Sequence, residues 1–211
     1  MIPVLSMEAV HFARSGRLIL SAFNLQVFPA GHTLLLGPSG SGKTTLLNLA
    51  AGLLTPDSGR VAIAGTPLPA SAAERDGLRR ANIGIVFQTL RLVSALTLTE
   101  NLELAARLSG KPAYAVAPLL ESLGLAHRSD ARPRELSQGE AQRAAIARAV
   151  VSRPLLLLAD EPTSALDDVN AELVARMLLK SAAEHGSTLV IATHDARLRR
   201  HIGEVVTLEA A

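Results

Sequence analysis

Cysteine is absent from the 211 residues. That excludes a disulfide scaffold, thiolate zinc sites and a cysteine nucleophile. Tryptophan is absent too, and aromatic side chains make up 2% of the chain. A stacking platform for single-stranded nucleic acid is therefore not expected. The core must be aliphatic. No charge of one sign dominates: 21 basic residues, 18 of them arginine, face 19 acidic ones for a net charge of +2. Nucleic-acid binding is not implied at that balance. No long apolar run is present either. The longest stretch free of Asp, Glu, Lys and Arg runs from Leu18 to Gly42 and is broken by Asn24, Gln26, Pro29, Gly31 and His32. It cannot be a bilayer helix. Met1–Arg14 has no basic segment ahead of an apolar one, so no secretory signal is read there. The chain reads as soluble and cytoplasmic, with docking on a membrane protein left open.

What is present is an apolar fraction of 48% with 19% charged residues. That excludes disorder and coiled coil as the main state, and the length fits one domain. Alternation around Leu18, Leu20, Phe23, Leu25 and Val27 predicts strands over residues 7–28. His32–Leu36, Arg60–Ala64, Ile83–Phe87, Leu155–Ala159 and Ser187–Ala192 read as further strands. Apolar spacing predicts a helix over Lys43–Leu54, ended by Thr55-Pro56-Asp57-Ser58-Gly59. Thr66–Ala73 reads as a loop. Thr97-x-x-Glu100 has the form of a capping box opening a helix through Leu108. Residues 89–153 are mostly helical in pattern, with stops near Gly110–Pro112 and Arg132–Pro133. A last helix is expected from Asp168 to Glu184. Strands alternating with helices predict an α/β fold with a mostly parallel sheet. The expected organisation is a single domain, with residues 1–88 and 154–211 as core and 89–153 as an inserted helical subdomain.

Two constellations carry chemistry. Gly37-Pro38-Ser39-Gly40-Ser41-Gly42-Lys43-Thr44 matches G-x-x-x-x-G-K-[ST], between a strand and a helix. Glycines let backbone N–H groups converge on phosphate oxygens, and the following helix aims its positive end at the same anion. Lys43 is expected to reach the β- and γ-phosphates of a nucleotide, with Thr45 just behind it, and the Thr44 hydroxyl to ligate Mg²⁺. Asp160-Glu161 ends an apolar strand, where ligands bind in α/β sheets. Asp160 is placed to hold Mg²⁺ and Glu161 to orient an attacking water.

Between these motifs stands Leu136-Ser137-Gln138-Gly139-Glu140, which resembles the Leu-Ser-Gly-Gly-Gln signature of ATP-binding-cassette (ABC) ATPases. Gln88 resembles that family's Q-loop, Ser164-Ala165-Leu166-Asp167 its D-loop and Thr193-His194-Asp195 its switch histidine. The motifs stand in the family's order and span essentially the whole chain. The resemblance implies a P-loop core with an N-terminal antiparallel β subdomain, and ATP hydrolysis with Mg²⁺. Gln88 would serve Mg²⁺ and catalysis, and His194 would sense the γ-phosphate. Ser137 and Gly139 would meet ATP held by a second copy, in a head-to-tail dimer. It also implies an integral membrane permease, met through the helical subdomain and Q-loop, on the inner face of the cell membrane.

Arg14 stands where the family has an adenine-stacking aromatic, and either stacks on the base or is merely exposed. Gln138 and Glu140 replace Gly and Gln. Ser137-x-x-Glu140 is in addition a capping box. Segments Gln88–Asn101, Leu123–Leu125 and Ala159–Pro162 resemble the branch of lipoprotein-releasing, macrolide-exporting and cell-division ATPases, whereas the D-loop is nearer the solute importers. A non-transporting regulator of a membrane-bound extracytoplasmic activity is the remaining alternative. A GTPase is disfavoured because Asn-Lys-x-Asp is absent. Nothing beyond about Val206 is expected to form a regulatory domain. Arg197-Leu198-Arg199-Arg200 reads as a solvated helix face.

Overall fold

The computed structural model describes residues 1–110, 116–164 and 166–209. Two sheets and a helical layer organise it. The first sheet is antiparallel and joins β1 (Leu5–Arg14), β2 (Arg17–Val27), β4 (Ser58–Ile63) and β5 (Thr66–Pro67) in the order β2-β1-β4-β5. The second joins β6 (Ile83–Val86), β7 (Leu156–Asp160), β8 (Thr188–Thr193), β3 (His32–Leu36) and β9 (Glu204–Thr207) in the order β6-β7-β8-β3-β9. All its pairings are parallel.

Side-chain alternation sorts the parallel strands between two cores. Leu35, Leu156, Leu158, Val190 and Ala192 point to the core shared with the antiparallel sheet and with α1 (Lys43–Ala50). Leu34, Leu36, Leu157, Leu189 and Ile191 point the other way. There they meet α5 (Gln138–Val150) and α6 (Asp168–His185). Being buried on both faces explains why these strands read as unbroken apolar runs.

A third cluster lies between α3 (Leu98–Leu108), α4 (Val116–Ser122) and α5. Helix α5 serves both neighbours. Ala145, Ile146, Ala149 and Val150 face the sheet, while Ala144 and Ala147 face α3 and α4. Its small residues let both layers approach. The expected capping box at Thr97 forms, with Glu100 N–H donating to Thr97 Oγ1 and Thr97 N–H to Glu100.

The structure corrects several boundaries. Helix α1 stops at Ala50, because Leu53 and Leu54 turn their N–H groups back to the Asn48 carbonyl and Gly52 takes a left-handed φ of 65°. Leu155 stays outside β7 and is exposed. The segment expected as a loop holds β5, where Pro67 is tolerated on an edge strand, and the start of α2 (Ala72–Asn82). Helix α2 buries no residue fully, so it shows no apolar stripe in the sequence. Arg197–Arg200 lie on a 3-10 turn, Ala196–Arg200, rather than a helix face. Two of its arginines are engaged: Arg197 with Asp168 and Asp195, Arg200 with Glu172.

Candidate active site

The carboxyl ends of β3, β6 and β7 open on one cavity of about 380 Å³. Ser39, Gly40, Gly42, Lys43, Thr44, Thr45, Gln88, Glu161 and Ile19 line it. The loop from Gly37 to Gly42 is tightly drawn. A Cβ on Gly37 would lie 2.4 Å from the Leu208 carbonyl oxygen and 2.6 Å from Ser41 Oγ. Only glycine fits there. Gly40 and Gly42 hold φ of 82° and 91°, a region glycine enters without strain. Gly42 is also the N-cap of α1 and offers no side-chain bond. The first N–H groups of α1 thus keep their unmet donor capacity at the cavity.

Lys43 is buried and donates to the carbonyls of Gly37 (2.7 Å) and Pro38 (2.9 Å). Its ammonium also lies 3.4 Å from Glu161 Oε1. Thr44 Oγ1 donates to Asp160 Oδ1 at 3.1 Å. Burial pushes the Asp160 carboxyl above its ordinary value, and the neighbouring Glu161 charge adds to this against the Thr44 bond and Lys43. A buried carboxylate beside a hydroxyl is a hard oxygen donor pair, and a divalent cation would relieve the cost of its burial.

Glu161 follows β7 in a left-handed conformation, φ 47°. Its Oε2 accepts from Thr193 Oγ1 (2.9 Å), His194 Nδ1 (2.9 Å) and His194 N (3.4 Å). An ionised carboxylate only accepts, so His194 carries its proton on Nδ1. Burial alone would raise the Glu161 carboxyl. The bonds from His194 and Thr193, with the charges of His194 and Lys43, hold it below the ordinary value instead. The cluster therefore keeps Glu161 ionised.

Gln88 lies exposed at the cavity rim, just past β6. Its loop is pinned by Arg148 of α5, whose guanidinium donates to the carbonyls of Ile85 (3.2 Å), Leu90 (2.9 Å) and Arg91 (2.5 Å). One half-buried cation thus ties the loop to the helix that begins at the signature.

The remaining candidates stand apart. Ser137 is the N-cap of α5: its Oγ accepts from Glu140 N and its N–H donates to Glu140 Oε2. Glu140 also meets Arg128 at 2.8 Å. Gly139 is the second residue of α5, in its first turn. A Cβ there would touch only Arg143 Nη1, at an ordinary 3.6 Å. Neither residue lines the cavity. Arg14 is exposed at the β1–β2 turn, paired in register with Arg17, and does not line the cavity either; Ile19 forms the wall on that side. Of the D-loop motif, Ala165 lies outside the described residues. Asp167 caps α6 by accepting from Asn170 N at 2.9 Å.

Sequence reasoning named Thr193 only as part of the switch motif, with no role of its own, and passed over Ile19 and Arg148. A hydroxyl residue closing an apolar strand beside His194 was the available signal for the first. Ile19 and Arg148 carry no signal of their own, because the hairpin and helix that deliver them are distant in sequence.

Residues 20–164 match the protein family described as ABC transporter. The chain belongs to the ABC transporter family. A lipoprotein-releasing system ATP-binding protein, LolD 1 of Rhodopirellula baltica, is 42% identical, covering 88% of this chain and 83% of that protein. The dimeric structure of MJ0796, a bacterial ABC transporter cassette, superposes with a TM-score of 0.87 at 32% identity over 98% of this chain and 94% of that one. A post-hydrolysis dimer of the same cassette, bound to ADP and Pi, gives 0.86 at 33% identity over 97% and 94%. This ABC cassette is an ATPase, and the nucleotide it binds is ATP. Among its described residues no helix is long and apolar enough to cross a membrane.

Proposed function

We propose that this chain is the ATP-hydrolysing subunit of an export or lipoprotein-extraction transporter, acting as a head-to-tail dimer at the inner face of the membrane. The single observation that carries the branch is the 42% identity to LolD 1 across most of both chains.

The chemistry follows from the cavity. The N–H groups of Gly37–Thr45 and the Lys43 ammonium hold the ATP phosphates. Thr44 and Asp160, with Gln88 through water, are the oxygen ligands available to a Mg²⁺ ion, which when bound would neutralise phosphate charge. Glu161 orients a water for in-line attack on the γ-phosphorus. The water oxygen bonds to phosphorus as the bond to the β–γ bridging oxygen breaks, ADP leaves with the electron pair, and the water gives up a proton to the Glu161 carboxylate. His194, on the rim of the cluster, senses the terminal phosphate. Arg14 is the group proposed to stack on adenine.

Ser137 and Gly139 stand outside the phosphate cavity of their own chain, and no internal contact demands a glycine at 139. Both facts support a second copy bringing its ATP to the N-terminus of α5. A separate cleft of about 240 Å³ lies between the core and α3, lined by Leu53, Arg79, Arg80, Phe87, Leu108 and Arg148. Leu108 and Leu53 are exposed there. This is the proposed seat of the membrane permease, next to the Gln88 loop.

Glu161→Gln, expressed in native membranes and solubilised in ATP and Mg²⁺, tests the reading. Turnover should fall by about 100-fold or more with ATP binding retained. The co-purifying partner should have few membrane spans and a large external domain. A many-span permease would move the assignment to a solute transporter, and no membrane partner at all would end it. His194→Ala should likewise lose turnover and keep ATP; retained turnover would refute its role.

A further inference from the structure

Two turns meet at the end of the parallel sheet, and each gives the other a threonine hydroxyl. Thr193, the last residue of β8, is fully buried and donates from Oγ1 to Glu161 Oε2 at 2.9 Å. Thr163, in the turn after Glu161, donates from Oγ1 to Asp195 Oδ2 at 3.2 Å. The direction of the first bond is fixed by a third partner. Asp195 N–H donates to Thr193 Oγ1 at 3.0 Å, so the single hydroxyl hydrogen is left for the carboxylate. Asp195 is held in turn by Arg197, through Nε to Oδ1 (2.8 Å) and Nη2 to Oδ2 (2.7 Å).

The donors on Glu161 Oε2 differ in kind. The His194 ring is about half exposed (52%), free to leave the carboxylate for the cavity side. In the role proposed above it must exchange Glu161 for the terminal phosphate. Thr193 has no exposure and no such alternative. Glu161 itself sits in a left-handed φ that a non-glycine residue keeps only when its surroundings hold it.

We infer that Thr193 is a positioning residue for hydrolysis: its hydroxyl keeps the Glu161 carboxylate aimed at the attacking water when His194 turns to the phosphate. The inference rests on the proposed role of Glu161. It adds a residue that touches neither nucleotide nor water.

The test separates hydroxyl from packing. Thr193→Val keeps the β-branched shape and removes the donor; Thr193→Ser keeps the donor and removes a methyl. Valine should lower kcat about 10- to 100-fold with KM for ATP changed by no more than about twofold. Serine should stay within about threefold of the parent. Affinity for a fluorescent ATP analogue should match the parent in both. In gel filtration with ATP and Mg²⁺, the valine variant should keep its ATP-dependent dimer longer than the serine variant. Should valine fail to fold, Thr193→Ala against Thr193→Ser gives the same contrast, since both lack the methyl and differ only in the hydroxyl.

Equal kcat for valine and parent overturns the inference. So does an equal loss in valine and serine, or in alanine and serine, because packing would then be the cause. Glu161→Gln run alongside keeps the two claims apart. If it still turns over, the role of Glu161 fails. If it is dead while Thr193→Val is unaffected, only the positioning role fails.

Discussion

Two helix N-termini in this molecule are proposed here to meet phosphate, and they are built in opposite ways. Helix α1 begins at a glycine that caps nothing, beside a cavity whose walls supply Lys43, Thr44, Gln88 and Glu161. Helix α5 begins at Ser137, whose box with Glu140 satisfies two of its own donors, and neither Ser137 nor Gly139 lines that cavity. The first end is an open set of donors inside a finished pocket. The second is a stable helix start that carries a glycine its own packing does not need. On the proposed reading, one chain contains a nucleotide-holding half and a nucleotide-meeting half that it cannot join by itself. A C2 dimer joins them twice, since each copy's contact is returned by the other.

The strongest test mixes two disabled chains. Lys43→Ala removes the phosphate-holding cation, and Gly139→Asp sets a carboxylate where the partner's phosphate should come. Each variant alone should lose turnover by about 100-fold or more. Mixed in equal amounts, they form heterodimers in which one of the two composite sites is intact. ATPase activity should then return to about a quarter of the parent value. No recovery on mixing would sink the shared-site architecture.

The two glycines sharpen the contrast on the scale of stability. Gly37→Ala drives a methyl against the Leu208 carbonyl and should cost about 1–3 kcal/mol, read as a lower thermal midpoint, together with ATP binding. Gly139→Ala meets only the flexible end of Arg143. It should leave the fold unchanged or up to about 1 kcal/mol more stable, while turnover falls. Equal destabilisation by both would mean that α5 needs its glycine for internal reasons.

Much of this was legible in the sequence because the signals are local. The glycine spacing of 37–42, the apolar run before Asp160 and the Thr97 and Ser137 boxes each depend on residues within a few positions of one another. What escaped detection depends on distant packing. Helix α2 buries no stripe, so periodicity is silent. Strand β9 is a short edge strand with no fully buried residue, and nothing in its composition sets it apart from a loop. The Thr193–Glu161 and Arg148–Gln88-loop contacts join segments 32 or more residues apart. The Arg197–Arg200 cluster read as solvated because Asp168 and Glu172, which meet Arg197 and Arg200, arrive from α6, 28 or more residues away.

The smallest expected effect concerns the capped end alone. The Arg128 guanidinium and the Ser137 N–H and hydroxyl hold the Glu140 carboxyl at about 2, below its ordinary value of 4.5. A depressed carboxyl stabilises the folded chain above its unfolded value and loses that contribution as pH falls through the folded one. The window is therefore about pH 4.5 down to about pH 2. Glu140→Gln keeps an oxygen that can close the capping box, so only the charge-dependent part is lost. The variant should melt slightly below the parent at pH 7, and the gap should close across that window and shrink with added salt. Glu172, held at about 2 by His201 and Arg176, titrates identically in both proteins and cancels in the difference. A gap that persists unchanged below pH 2 would mean that Glu140 acts through shape rather than charge. The box would then be a purely structural start for α5, with no electrostatic role in setting up the surface that meets the partner's phosphate.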